Sequence, residues 1–174
     1  MSREEGAVET VWKGKFIQVH KHGRWEYVSR TRSVSAAVIL AVDDGHVVLV
    51  EQYRVPLGAR CLELPAGLVG DEEEGEEVET AATRELEEET GYRAGRMESL
   101  GRFFASPGMS AEGFTLLRAS ELERVGEGGG VPGEDIEVHR VLIDQVPAFV
   151  ESKRAEGAAI DVKLLLLLAG DMLS

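Results

Sequence analysis

An α+β domain built on a mixed sheet is the fold class this sequence predicts, and three observations carry that expectation. Short β-branched runs dominate the first third, with residues 35–42 (SAAVILAV) and 46–53 (HVVLVEQY) joined by Asp43-Asp44-Gly45, an Asp-Gly hairpin signal. Helix formers gather in residues 77–90 and again near the C-terminus. Strands and helices follow one another without the regular alternation of a doubly wound sheet.

In chain order, residues 10–20 and 25–30 read as strands around the turn Lys21-His22-Gly23-Arg24, and the 35–53 hairpin follows. Residues 61–64 form a further strand before Pro65-Ala66-Gly67 and an acidic loop. Residues 77–90 predict a helix with Gly91 just past its end, where a left-handed cap belongs. Residues 97–105 and 113–119 predict strands around the loop Ser106-Pro107-Gly108-Met109. The glycine-rich stretch 125–133 is expected to be mobile, residues 137–142 (EVHRVL) to be a last strand, and residues 147–156 and 161–169 to be closing helices. The five-leucine run is too short to span a bilayer and predicts a buried helix.

At 174 residues the chain suits one domain, and its hydrophobic share of 43% is ordinary for a soluble protein. The formal net charge of −13 argues against nucleic acid or anionic membrane as a partner. An anionic small molecule then needs local arginines or a bound cation to reverse the field. The single cysteine, Cys61, excludes an intrachain disulfide and a cysteine-based zinc cluster; it reads as a small buried residue. The N-terminus lacks the apolar core of a signal peptide, so a cytoplasmic location is expected. The four histidines have no metal-ligand spacing and read as surface or strand residues.

Within RELEEETG, Glu85 and Glu89 are four apart on one helix face and Glu88 is three after Glu85. Like charges at that spacing disfavour an isolated helix, and a hard divalent cation would remove the penalty. The alternative is a solvated acidic helix with Arg84 pairing Glu88. The surroundings separate the two readings. Residues 64–92 resemble the Nudix hydrolase box, G-x5-E-x7-R-E-U-x-E-E-x-G-U, where U is apolar. Gly70, Glu76, Arg84, Glu85, Leu86, Glu88, Glu89 and Gly91 meet its fixed positions in register, and Tyr92 takes the final U. Gly67, directly after Pro65-Ala66, is the alternative box glycine; on that reading the loop to Gly75 carries three extra residues.

The resemblance implies an α/β/α sandwich. It makes Glu85 and Glu89 the main metal ligands, Glu88 a further ligand or water-linked partner, and Ala66 a backbone-carbonyl ligand, for magnesium or alternatively manganese. Arg84 and Glu76 would pair to brace the helix. GKFIQV, RWEYVSR, VEQYRVPLGARCLELPAG, SPGMSAE and GEDIEV further resemble, in order, the ADP-ribose pyrophosphatase group, whose usual proline marker corresponds to Pro107. That likeness implies Mg-dependent hydrolysis of ADP-ribose to AMP and ribose 5-phosphate. Trp25 would stack on the adenine, with Phe16 on its second face from across a dimer; Arg30 and Arg54 would hold diphosphate or ribose, and Glu112 the terminal ribose. Glu134, in the loop before the last strand, is the expected general base or additional metal ligand. Residues 1–33 would be a strand region forming a homodimer, and residues 34–174 the hydrolase domain. The alternatives are another nucleoside diphosphate sugar, such as GDP-mannose, or a non-catalytic ADP-ribose sensor.

Overall fold

The computed structural model describes residues 6–32, 34–70 and 75–173. Part of the expected acidic loop, residues 71–74, lies outside them, as do residues 1–5 and 33 of the expected N-terminal region.

Strands β1 (Glu9–Lys13), β2 (Ile17–His22) and β3 (Trp25–Arg30) form an antiparallel sheet of their own. The single strand expected over 10–20 is therefore two. A turn at Gly14, whose N–H donates to the Ile17 carbonyl at 2.9 Å, splits it. A Cβ there would lie 2.4 Å from the Trp12 ring, so glycine lets the indole lie against the turn. Apolar residues on both sides of Gly14 hid the break.

The main sheet holds β4 (Ser35–Asp43), β5 (His46–Arg54), β6 (Ala59–Glu63), β7 (Ala66–Val69), β8 (Tyr92–Phe104), β9 (Gly113–Arg124), β10 (Glu137–Leu142) and β11 (Ala159–Ile160). Its main path runs β11-β6-β5-β4-β9-β8, with β10 paired to β5 and β7 to β4. The β4–β9 and β6–β11 pairs are parallel, which makes the sheet mixed. Asp44 and Gly45 both take positive φ, 47° and 69°, as a tight primed hairpin turn requires. After Val42↔Val47 and Asp43↔His46 the two strands diverge. Strand β7 then pairs with β4 and β10 with β5, so Ala66 and Gly67, beyond the strand expected over 61–64, are strand as well.

Helix α1 (Val78–Thr90) covers one face of this sheet, while α2 (Val146–Ala155) and α3 (Leu165–Met172) cover the other. The period-two alternation of β4 divides the core: Ala37, Ile39 and Ala41 pack with Ala81, Ala82 and Leu86 of α1, whereas Val38 packs with Val146 and Val150 of α2. The expected α/β/α sandwich is the observed fold. The closing leucine run is not wholly buried: Leu164 and Leu168 are, but Leu165 and Leu166 stand half exposed, because one helix face alone meets the sheet. Among the described residues no helix is long and apolar enough to cross a membrane.

Helix α1 ends at Gly91 in the left-handed region (φ 73°), as its position predicts. The glycine-rich stretch expected to be mobile is hydrogen-bonded to that helix end. The N–H groups of Gly129 and Gly130 donate to the carbonyls of Glu89 and Glu88, each at 2.9 Å, and those of Val125 and Gly126 to the carbonyl of Gly91. These bonds satisfy carbonyls that the last helical turn leaves open. A Cβ on Gly128 would come within 2.4 Å of the Thr90 backbone, so the glycines serve close backbone approach as well as flexibility.

Candidate active site

Burial of Ala81, Ala82 and Leu86 fixes the rotation of α1 and turns Glu85 and Glu89 toward β7. The Ala66 N–H donates to Glu89 Oε2 at 3.0 Å. At Gly67 a Cβ would lie 1.9 Å from Glu85 Cδ, so the absence of a side chain makes room for that carboxylate. Gly70 meets a different need: its φ is 80°, and its N–H donates to Glu76 Oε2 at 3.3 Å. The two glycines that compete for the box position are thus both required, for separate reasons.

Arg84 sits among the acids of the helix. It donates to Glu85 Oε1 at 2.9 Å and to Glu88 Oε2 at 3.3 Å, and reaches Glu76 Oε1 at 3.5 Å. The expected Arg84–Glu76 pair is present, but the shorter contacts go to the glutamates themselves. Glu89 is only 5% exposed. Burial pushes its carboxyl up to about 8, and the charges of Glu85 and Glu134 add to the rise, against the Ala66 N–H and Arg54.

Glu85, Glu89 and Glu134 open onto a cavity of about 640 Å³ beside Ala36 and Val38 in the first half of β4, with Arg54, Arg30 and Glu112 also lining it. Arg54 makes a bidentate pair with the buried Glu63, at 2.6 and 2.7 Å, and this hydrogen bonding holds its guanidinium above its ordinary range. Glu63 was not singled out from the sequence. The strand alternation that buries Leu62 and Leu64 against α2 sends Cys61 and Glu63 to the cavity side, and that pattern could have found it. Burial pushes the Cys61 thiol up to about 12, which leaves it unreactive at neutral pH. Arg30 donates from Nε to Glu112 Oε1 at 2.8 Å, with a second contact from Nη2 to the same oxygen.

Two expected substrate contacts do not join this cavity within one chain. Trp25 lies beside Pro107 in a smaller depression of about 340 Å³, and Phe16 is 64% exposed with Lys15 over its ring. The loop after β8 is pinned to β3 by the Val28 N–H to the Met109 carbonyl and the Ala111 N–H to the Val28 carbonyl, both 2.9 Å, which sets Pro107 under the indole side of β3.

On the opposite face, Glu51, Glu137 and His139 place ligand-type atoms within 4.8 Å of one another. The histidine spacing concealed this group because its members sit on paired strands, with Glu137 opposite Glu51. Its charge is already balanced. Burial disfavours the Glu51 carboxylate, yet hydrogen bonds from Lys153, His139 and Arg60 outweigh burial and hold its pKa below the ordinary range.

The sequence pattern of the NUDIX domain matches residues 31–161, three quarters of the chain. The chain belongs to the Nudix family. This Nudix chain is 33% identical over 162 residues to an ADP-ribose pyrophosphatase of Bacillus subtilis, covering 87% of this chain and 85% of that one. A GDP-mannose pyrophosphatase of Citrobacter koseri is 34% identical over 130 residues, 70% of this chain and 64% of that one. A solved structure described as an ADP compounds hydrolase superposes with a TM-score of 0.71 at 24% identity, covering 95% of this chain and 93% of that one; it bears on the fold.

Proposed function

We propose that this Nudix chain hydrolyses the diphosphate of ADP-ribose to AMP and ribose 5-phosphate with a bound divalent cation. The observation that carries the reading is that Glu85, Glu89 and Glu134 line one cavity together with Arg54. Carboxylates of Glu85, Glu88 and Glu89 with the Ala66 carbonyl make an all-oxygen donor set, which suits magnesium or manganese. Burial, with the charges of Glu85 and Glu134 beside it, raises the Glu89 carboxyl, and a cation there would favour its ionised form. Bound there, such an ion supplies charge stabilisation to a phosphoryl oxygen and acidifies water.

The chain's own residues do the rest. Glu134 accepts the proton of the attacking water as its oxygen bonds to phosphorus and the bridging P–O bond breaks. Arg54 and Arg30 hold the diphosphate or ribose; pairing with a carboxylate leaves each guanidinium further donors. Glu112 orients Arg30 and the terminal ribose, and Arg84 with Glu76 braces the helix. Trp25 stacks on the base, with Phe16 of a second copy on its other face.

With magnesium, ADP-ribose should release AMP, and across a panel of nucleotide sugars its kcat/KM should lead by at least about tenfold. A comparable rate on GDP-mannose would favour the second reading, which the Citrobacter koseri relative supports. Binding of ADP-ribose without any turnover would favour a sensor.

The separate β1–β3 sheet and its turn expose Val11, Trp12, Phe16 and Trp25, apolar side chains that a second copy could cover. We assign residues 1–33 to dimer formation and residues 34–174 to the hydrolase domain, in a cytoplasmic enzyme. Light scattering should return twice the chain mass of 18.9 kDa, and a monomeric mass at micromolar concentration would refute the assignment.

A further inference from the structure

Glu134 lies in the stretch 131–136, which arches between two fixed ends. Upstream, Gly129 and Gly130 are bonded to the end of α1; downstream, Glu137 enters β10 opposite Glu51. Arg60, on β6, reaches this arch from the body of the sheet. Its Nη1 donates to Asp135 Oδ2 at 2.9 Å and its Nη2 to the Asp135 carbonyl at 3.3 Å. The other edge of the same guanidinium is anchored inside: Nε donates to Glu51 Oε1 at 3.1 Å and Nη2 to the Glu51 carbonyl at 2.8 Å. Glu51 is itself 5% exposed and held by Lys153 at 2.9 Å and His139 at 3.1 Å, so the anchor is rigid.

We propose that Arg60 is a positioning residue that latches the Glu134 loop to β5 and so sets where the Glu134 carboxylate stands over the cavity. The inference rests on Glu134 being the base. The alternative is an ordinary surface ion pair, since the Asp135 carboxylate is 91% exposed and such pairs contribute little to stability. Geometry separates the two. A rigid planar fork that bonds a main-chain carbonyl on each side restrains backbone position, which a flexible surface pair does not. A base displaced by about 1 Å can cost up to about a hundredfold in rate while leaving substrate contacts alone.

The test uses the full-length protein with magnesium and ADP-ribose. Arg60→Ala should lower kcat by about tenfold with KM within about twofold, and should speed amide exchange in residues 131–136 by about tenfold without changing β5. Asp135→Ala leaves the Glu51 anchor intact and should move both readouts in the same direction by less. On a Glu134→Gln background, Arg60→Ala should cost less than about twofold further, because its effect passes through that side chain. An equal fractional loss on both backgrounds would overturn the inference, as would unchanged kcat and exchange in Arg60→Ala and Asp135→Ala. Wild-type turnover in Glu134→Gln would overturn the base assignment and leave Arg60 without its role. A slow Glu134→Gln beside a fully active Arg60→Ala would defeat the latch alone.

Discussion

Glu89→Gln should lower ADP-ribose turnover by about three orders of magnitude, and Glu85→Gln by a similar factor, with the fold intact. Glutamine keeps the shape of the side chain and removes its charge, so the Ala66 N–H still finds an oxygen acceptor where Glu89 Oε2 stood. What is lost is a hard anionic donor in a buried position, the property a divalent cation needs. Gly67→Ala approaches the same site from the other side. Its Cβ would meet the end of the flexible Glu85 side chain at 1.9 Å, so Glu85 rather than the backbone should give way. That variant should lose about ten- to a hundredfold in turnover with a melting temperature within a few degrees of the parent. Steady-state kinetics beside thermal melts decide both. Full activity in Glu85→Gln or Glu89→Gln would remove the metal-site assignment.

The second large effect concerns stability without metal. Glu89 has its carboxyl pushed up to about 8 in the folded chain, chiefly by burial, from an ordinary value of 4.5. Between those values the unfolded chain has released the proton and the native chain still holds it. The native state therefore binds more protons, and unfolding free energy falls as pH rises. The contribution is fully present below pH 4.5 and is lost on approach to about 8, about 5 kcal/mol at most. In chelator the melting temperature should drop by about 5–10 °C between pH 5.5 and 8.5. Saturating magnesium should abolish the drop, because a cation favours the ionised carboxylate that burial penalises. Glu89→Gln should melt without this slope. Glu51 does not confuse the measurement: its lowered carboxyl loses its stabilising contribution only as pH falls below the ordinary carboxylate range. A flat melting profile in chelator would mean that Glu89 is not the strained group.

Much of this site is legible in the sequence. The box spacing put Glu85 and Glu89 on one helix face, and the Gly91 cap and the Asp43-Asp44-Gly45 hairpin stand where local chain sterics place them. These features depend on residues a few positions apart, which is the range over which helix and turn geometry act. The break at Gly14 and the strand at Ala66–Val69 were missed because each is decided by a partner: Trp12 folding over the one, β4 pairing with the other. The docking of the glycine-rich loop was not legible for the same reason. Glycine permits mobility, but it equally permits the close backbone approach that docks residues 126–130 on the end of α1.

By itself, then, the sequence determined the acidic helix, its cap, the alternation that sorts the two layers and the strongly acidic net charge, since all of these are properties of local spacing and composition. Only the tertiary structure decided that Arg54 is held by Glu63, through the pairing of β5 with β6. It alone brought Glu134 over the same cavity and tied its loop to Arg60. Those relations join residues on different strands and loops, whose distances strand pairing and helix docking set.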